Sequence, residues 1–120
     1  MDLIGTEWRV EEIASRGVLD DVHPTIRFGD DGRVSGSTGV NRFTGTYELD
    51  GEQLTVGPLA TTRMAGPPAA MDQEQRFLAV LGQPSLVVDE ATWIILRQRT
   101  TSTRLVPVEG SDDERLQVPR

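Results

Sequence analysis

Apolar and polar residues alternate along the first half of the chain with the two-residue period of β-strands. Trp8 and Val10 alternate with charged neighbours, which predicts a first strand at about residues 6–14 with one buried face. The next segment, SRGVLDDVHP, has the glycine, aspartate and proline content of a loop, and alternation resumes at Ile26 and Phe28. The first half therefore predicts a β-meander.

Two aspartate-glycine pairs predict the tight turns of this meander. Asp31–Gly32 and Asp50–Gly51 each separate two strand-like segments, and such turns need the left-handed conformations that suit glycine. Gly36 and Gly39 interrupt the strand that begins at Val34. Glycine inside a strand indicates either a β-bulge or a close crossing of another backbone.

One helix is predicted, near residues 69–82. Pro67–Pro68 precedes it, and Gly82 and Pro84 end it. Its core-facing stripe is predicted to comprise Ala70, Met71, Glu74, Phe77, Leu78 and Leu81. Three more strands follow in SLVVD, TWIILRQ and TRLVPV, the first two joined at Asp89–Ala91. Residues 109–120 are too charged and too poor in large apolar side chains to fold alone, so a disordered tail is expected there.

Composition narrows the function classes. The 120 residues suit one domain, and a net charge of −7 with a pI near 4.6 argues against nucleic-acid partners. The chain has no cysteine, which excludes thiol catalysis and disulfides. No segment has the length and hydropathy of a membrane span or a leader, so a cytoplasmic location is expected, with the envelope or secretion as the alternative if a leader has been removed.

No catalytic or metal-binding motif is found, so the chain is expected to be neither an enzyme nor a cofactor or metal binder. His23 is the only histidine, and with Asp20–Asp21 it forms at most an accidental surface cluster. No G-x-S-x-G elbow is present, and the glycine-rich stretch has neither the lysine nor the following helix of a phosphate loop.

Four features in order carry a family resemblance. They are the strand containing Trp8, the glycine-rich stretch Gly36–Gly45, the stretch Thr62–Gly66 and the helical segment Glu74–Phe77. The chain resembles the META domain, or HslJ-like, family over about residues 3–108, and a domain over 1–108 is expected. The resemblance implies a β-dominated α+β fold, an antiparallel sheet curled into an open or cracked barrel of about seven or eight strands with one helix against it.

The resemblance also carries expectations about biology. Members of this bacterial family are frequently envelope lipoproteins or secreted proteins, some are linked to heat stress or motility, and no enzymatic activity is attached to the family. The family's two cysteines correspond to Val40 and Gly66, so the disulfide that it implies is missing from this chain. That absence agrees with the missing leader and favours a reducing compartment.

The polar residues of the motif allow two interpretations. Asn41 is expected to form a turn, and Glu74 is expected to pair with Arg42 or Arg63, since a carboxylate on an apolar stripe needs a partner. In the alternative, these four residues form a polar site for a small anion or a peptide carboxylate.

The aromatic residues allow two interpretations as well. Trp8, Phe28, Tyr47 and Trp93 belong either to a packed core or to the lining of an apolar barrel cavity for a hydrophobic ligand. The leading functional hypothesis is a monomeric, stress-related accessory or protein-interaction module. A carrier of a small hydrophobic ligand and a structural domain of the bacterial envelope are the alternatives.

Overall fold

Antiparallel strands dominate the fold. The computed structural model describes residues 3–108, so the tail predicted at 109–120 lies outside the described residues. In chain order the elements are β1 (Thr6–Ile13), β2 (Arg16–Gly17), β3 (Thr25–Phe28), β4 (Arg33–Ser37), β5 (Arg42–Asp50), β6 (Gln53–Val56), β7 (Ala60–Thr61), α1 (Pro68–Leu81), β8 (Ser85–Asp89), β9 (Ile94–Gln98) and β10 (Thr101–Pro107).

Eight of the strands form a closed barrel. They pair in the order β1-β3-β4-β5-β6-β8-β9-β10, and β10 pairs back onto β1, while β2 and β7 extend β1 and β5. The predicted β-dominated barrel with one helix is confirmed, and the β1–β10 pairing closes the sheet. The shortest strand pairing in the barrel is that of β6 with β8, which comprises two residue pairs, Gln53 with Leu86 and Leu54 with Ser85.

Both predicted aspartate-glycine hairpins are present. Gly32, with φ of 78°, lies between β3 and β4, and Gly51, with φ of 63°, lies between β5 and β6. Gly36 marks a close crossing and not a bulge, because the register of β4 with both neighbours is unbroken. A Cβ at Gly36 would lie 2.1 Å from the Thr25 carbonyl oxygen and 2.7 Å from the Phe43 ring. Only glycine fits at this position.

The loop predicted after β1 contains a turn that the sequence analysis missed. Ala14 and Ser15 have φ of 49° and 68°, a left-handed pair in which glycine or asparagine is usual. Contacts from β10 hold this turn: the Ser15 amide donates to the Ser102 carbonyl at 2.6 Å, and the Ser102 amide donates to the Ser15 hydroxyl at 3.0 Å. The tight turn sends the chain back along β1 as β2.

The barrel interior is filled by inward-pointing apolar side chains. These are Trp8, Val10, Ile13, Ile26, Phe28, Val34, Phe43, Tyr47, Leu54, Ile94, Leu96 and Leu105. The helix packs at the barrel end where β4 leads into β5, and the rings of Phe77 and Phe43 meet edge to face at 5.8 Å.

Helix α1 begins and ends within one residue of the prediction, but its buried face differs. Met71 and Leu78 are only half-buried, whereas Gln73 and Val80 are buried. The difference arises because the helix meets loop backbone as well as apolar side chains. Gln73 accepts a bond from the Leu19 amide at 2.8 Å and donates to the Val22 carbonyl at 2.9 Å, which satisfies the loop before β3.

Candidate functional site

Three polar side chains meet inside the protein, where the β4–β5 loop touches α1. Thr38, Asn41 and Glu74 are 0%, 3% and 8% exposed. The Oε1 atom of Glu74 accepts hydrogen bonds from the Thr38 hydroxyl at 2.5 Å and from the Asn41 Nδ2 atom at 2.9 Å. The Thr38 hydroxyl also accepts a hydrogen bond from the backbone amide of Asn41 at 2.9 Å. We call these three residues the buried polar cluster.

Asn41 uses the full bonding capacity of its side-chain amide. In addition to the bond to Glu74, Nδ2 donates to the Met64 carbonyl at 3.1 Å. The Oδ1 atom accepts from the Thr62 hydroxyl at 2.8 Å and from the Met64 amide at 2.6 Å. A buried amide with two donors and two filled acceptor sites has no capacity left for a ligand. Asn41 therefore ties three segments together: the start of β5, the stretch 62–64 and α1.

This role differs from the predicted one. The left-handed residue of the β4–β5 loop is Gly39, with φ of 98°, and Asn41 is not among the described residues with positive φ. A Cβ at Gly39 would lie 2.4 Å from the Val22 side chain, so both space and conformation require glycine there. Gly39 supplies the left-handed conformation of this turn, and the side chain of Asn41 connects the neighbouring segments by hydrogen bonds.

The predicted pairing of Glu74 with an arginine is not found among the described residues. Arg42 and Arg63 are both exposed, and the ion pairs of residues 3–108 do not involve Glu74. Arg42 lies on the outward face of β5, since Phe43 next to it points into the barrel. The neutral donors Thr38 and Asn41 satisfy the carboxylate instead. Anion binding by Asn41, Arg42, Arg63 and Glu74 stays a prediction.

Val40 and Gly66 lie face to face beside the buried polar cluster. A Cβ built at Gly66 would lie 3.7 Å from the Val40 Cβ and 3.1 Å from each of its methyl groups. Disulfide-bonded cysteines have Cβ atoms about 3.8 Å apart. The two positions that correspond to the family's cysteines are thus adjacent. In this chain the Val40 side chain lies against Gly66.

The aromatic residues divide into an interior group and one surface residue. Trp8, Phe28 and Tyr47 belong to the core, and the rings of Phe28 and Tyr47 meet edge to face at 5.1 Å. Trp93 lies just before β9 and is 38% exposed, so it does not share their surroundings. This arrangement favours the packed core, and a cavity for a hydrophobic ligand stays a prediction.

The one histidine of the chain lies at the surface beside a carboxylate. His23 lies near Glu11, with Nδ1 at 3.9 Å from Oε2, and its Nε2 atom is 2.8 Å from the Asp20 carbonyl oxygen. Residues 3–108 hold no group of three or more histidine, aspartate or glutamate side chains placed to bind a metal ion. In the same part of the chain, no helix is long and apolar enough to span a membrane.

A second region of interest lies on the outside of the barrel. Leu86, Val88, Trp93 and Ile95 form what we call the β8–β9 outer face. Leu86 and Trp93 are 50% and 38% exposed. Val88 and Ile95 pair across the two strands, in positions that alternate with inward-facing neighbours. Both strands therefore carry apolar side chains on their outward as well as their inward faces.

Two arginines accompany this face. Arg97 is the cross-strand partner of Leu86, and Arg104 of β10 is the cross-strand partner of Ile95. Neither arginine forms an ion pair within residues 3–108, and the Nε atom of Arg104 is buried without a hydrogen-bond partner. A surface depression of about 330 Å³ adjoins the face and is lined in part by Gln53, Leu86 and Arg97.

Comparison with known proteins agrees with these landmarks. A model of the META domain matches residues 1–109. The chain belongs to the META domain family. A search among curated proteins gave no match.

Two solved structures share the fold of this META domain. An NMR structure of a protein from Burkholderia xenovorans is 24% identical, with a TM-score of 0.72 over 89% of this chain and 84% of that one. A second NMR structure is 26% identical, with a TM-score of 0.68 over 85% of this chain and 88% of the other. Both structures support the fold.

The sequence signal for the β8–β9 outer face is a run of apolar residues. SLVVD and TWIILRQ do not alternate, unlike the segments of β1 and β5. An unbroken apolar run indicates a strand that is buried on both faces, yet here one of the faces lies on the outside of the barrel. Assigning both segments to strands was sufficient for the fold of this META domain but missed its exposed apolar surface.

Proposed function

We propose that this META domain is a non-enzymatic accessory module that binds a protein partner through the β8–β9 outer face. The observation that carries the proposal is the pair of adjacent strands with apolar side chains on both faces. The outward positions of an antiparallel barrel ordinarily carry polar residues, and a contiguous exposed apolar patch is typical of an interaction site. Half of the Leu86 surface is exposed to solvent.

The charges beside the face favour one kind of partner. Arg97 carries positive charge next to Leu86, and Arg104 lies between Ile95 and Glu12 as their cross-strand partner, in a chain with a net charge of −7. Neither guanidinium is neutralised by an ion pair within residues 3–108. Charge complementarity therefore favours a partner whose contact surface combines apolar side chains with carboxylates. The depression beside Leu86 and Arg97 offers a place for one anchoring side chain.

The setting of this interaction is also proposed. The absence of cysteine and the apolar contact of Val40 with Gly66 favour a reducing compartment, such as the cytoplasm. The resemblance to HslJ-like proteins favours a stress-related role. The isolated domain is expected to be a monomer, which light scattering after size-exclusion chromatography will check, and cell fractionation will check the location.

Site-directed photocrosslinking in heat-stressed cells tests the proposed interface. A photoreactive amino acid replaces Val88 on the face, and a matched control places it at Thr46, an outward position of β5. We expect the Val88 variant to form a discrete adduct with one other protein, and we expect no adduct from Thr46. After the partner has been identified and purified, titration calorimetry will measure binding to the unmodified domain and to the L86D, R97E and T46D variants.

The expected affinities distinguish specific docking from general stickiness. L86D and R97E should each weaken binding by about tenfold or more, as expected for central apolar and charged contacts, while T46D should leave it unchanged. Adducts between two copies of the chain would make the face a homodimer interface and overturn the proposal. Equal crosslinking from Thr46 and Val88, or no adduct from either, would overturn it as well.

A further inference from the structure

A second depression lies between α1 and the β9–β10 turn, and it shares Gln98 and Arg99 with the depression beside the β8–β9 outer face. Its volume is about 330 Å³, within the size range of small-molecule sites. Lining residues from the helix, from the β9–β10 turn and from the end of β1 include Ala14, Arg76, Ala79, Val80, Arg99 and Thr101. The depression therefore combines an apolar part with cationic and hydroxyl groups.

Its charge contrasts with that of the whole chain. The lining includes two arginines and no carboxylate, in a chain whose net charge is −7. Asp72 contacts the Arg76 Nε atom at 3.2 Å, but the Nη1 atom of Arg76 is buried without a hydrogen-bond partner. A buried donor without a partner among the described residues is unusual in a native structure, and an acceptor such as a water molecule or a ligand atom would satisfy it.

Two tight hairpin turns border the same depression. Ala14 and Arg99, which line it, have φ of 49° and 41°, and Ser15 next to Ala14 has φ of 68°. These residues belong to the two-residue turns between Ile13 and Arg16 and between Gln98 and Thr101, where positive φ is usual, and residues other than glycine must be held there by their surroundings. Here the holding contacts include the bond from the Ala14 amide to the Thr103 hydroxyl at 3.0 Å.

We propose that this depression binds a small organic anion, a carboxylate carried on an apolar body. Arg76 and Arg99 approach the depression from opposite elements and bind the carboxylate by charge-assisted hydrogen bonds. The side chains of Ala79 and Val80 contact the apolar body, which distinguishes such a ligand from inorganic phosphate. Arg76 lines this depression and not the one beside the β8–β9 outer face, so its substitution distinguishes the two sites.

NMR titration of the ¹⁵N-labelled domain tests the proposal with three probes: phenylacetate, its neutral analogue phenylacetamide, and inorganic phosphate. Phenylacetate should produce saturable shifts of the Ala79, Arg99 and Thr101 amides. Phenylacetamide and phosphate should each bind about tenfold more weakly, because the first lacks the charge and the second lacks the apolar body. R76Q and R99Q should each weaken phenylacetate binding by about tenfold.

A charge-matched control separates this site from general attraction to arginine. R33Q removes the same charge from the β3–β4 hairpin, outside the depression, and should leave the phenylacetate titration unchanged. Equal affinity for phenylacetate and phenylacetamide would overturn the proposal, as would shifts that do not saturate. Equal binding of phosphate would reduce the site to a generic anion contact, and an equal loss in R33Q would exclude a local site. R99Q alters a turn residue outside the barrel core, so it keeps the test valid if R76Q fails to fold.

Discussion

The motif loops, residues 36–45 and 62–66, and the β8–β9 outer face use their side chains in opposite ways. The loops carry the family resemblance, but Asn41 and Thr38 form all their described bonds inside the protein. The outer face carries no motif, yet it exposes Leu86 and Trp93 to solvent. A motif residue thus fixes the fold here, and the surface available to a partner lies elsewhere.

The physical basis of the contrast is the cost of burial. A polar group taken out of water must keep its hydrogen bonds, so the loop residues are constrained to particular partners and distances. An exposed apolar side chain needs no hydrogen-bond partner within its own chain. Substitutions in the two regions should therefore separate stability from binding.

The largest expected effect is that of N41A. Four side-chain bonds are lost, and the Met64 amide and the Thr62 hydroxyl lose an acceptor. The free energy of unfolding should fall by about 3 to 4 kcal/mol, since each buried bond contributes about 1 kcal/mol. Urea denaturation followed by circular dichroism will measure it, with T44A on the outward face of β5 as the control. A loss below about 1 kcal/mol would show that the bridge is not the stabilising element.

The double substitution V40C/G66C should change stability nearly as much, in the opposite direction. The Cβ positions are 3.7 Å apart, which suits a disulfide. Closing the intervening loop should stabilise the oxidised protein by about 3 kcal/mol over its reduced form. Thermal melts with and without reductant measure the difference, and each single cysteine variant serves as a control. Failure to form the bond under oxidising conditions would contradict the geometry.

E74Q has a smaller expected cost. The substitution keeps the shape of the side chain and one carbonyl oxygen, but it replaces charge-assisted bonds from Thr38 and Asn41 with neutral ones. A loss of about 1 to 2 kcal/mol in unfolding free energy is expected, and E48Q on the exposed face of β5 should change little. An unchanged denaturation midpoint for E74Q would mean that the cluster does not depend on the carboxylate.

The smallest change in stability is expected from L86T on the outer face. Threonine favours strands and the side chain is half-exposed, so the free energy of unfolding should stay within about 0.5 kcal/mol of the original. Binding of the partner found by crosslinking should nevertheless weaken by about tenfold. A loss of stability comparable to that of N41A would remove the contrast between the two regions.

Local signals in the sequence were sufficient for most of the fold. The turns at Asp31–Gly32 and Asp50–Gly51 and the bounds of α1 depend on residues that are near each other in the chain. The turn at Ala14–Ser15 escaped prediction because neither residue favours a left-handed conformation. Bonds from β10, at the far end of the barrel sequence, hold it in place.

The candidate sites were less predictable for the same reason. Glu74 stood out as a carboxylate on an apolar stripe, and it is buried, but its partners are Thr38 and Asn41, which come from a distant loop. A carboxylate on an apolar stripe needs a partner, but the spacing of residues along the helix does not indicate which distant side chain supplies it. The depression at Arg76 and Arg99 joins three elements, so no single segment indicates it.

The pairing of β1 with β10 also affects the order in which the protein can fold during synthesis. These strands lie at opposite ends of the described chain, so their contact requires closure of nearly the whole loop between them. Until β10 has left the ribosome, β1 and β9 each lack the neighbour that covers one edge. An incomplete sheet with free edges can pair with other chains. The nascent polypeptide is therefore most prone to aggregation just before β10 emerges from the ribosome. At that stage the apolar side chains of β8 and β9 have already emerged.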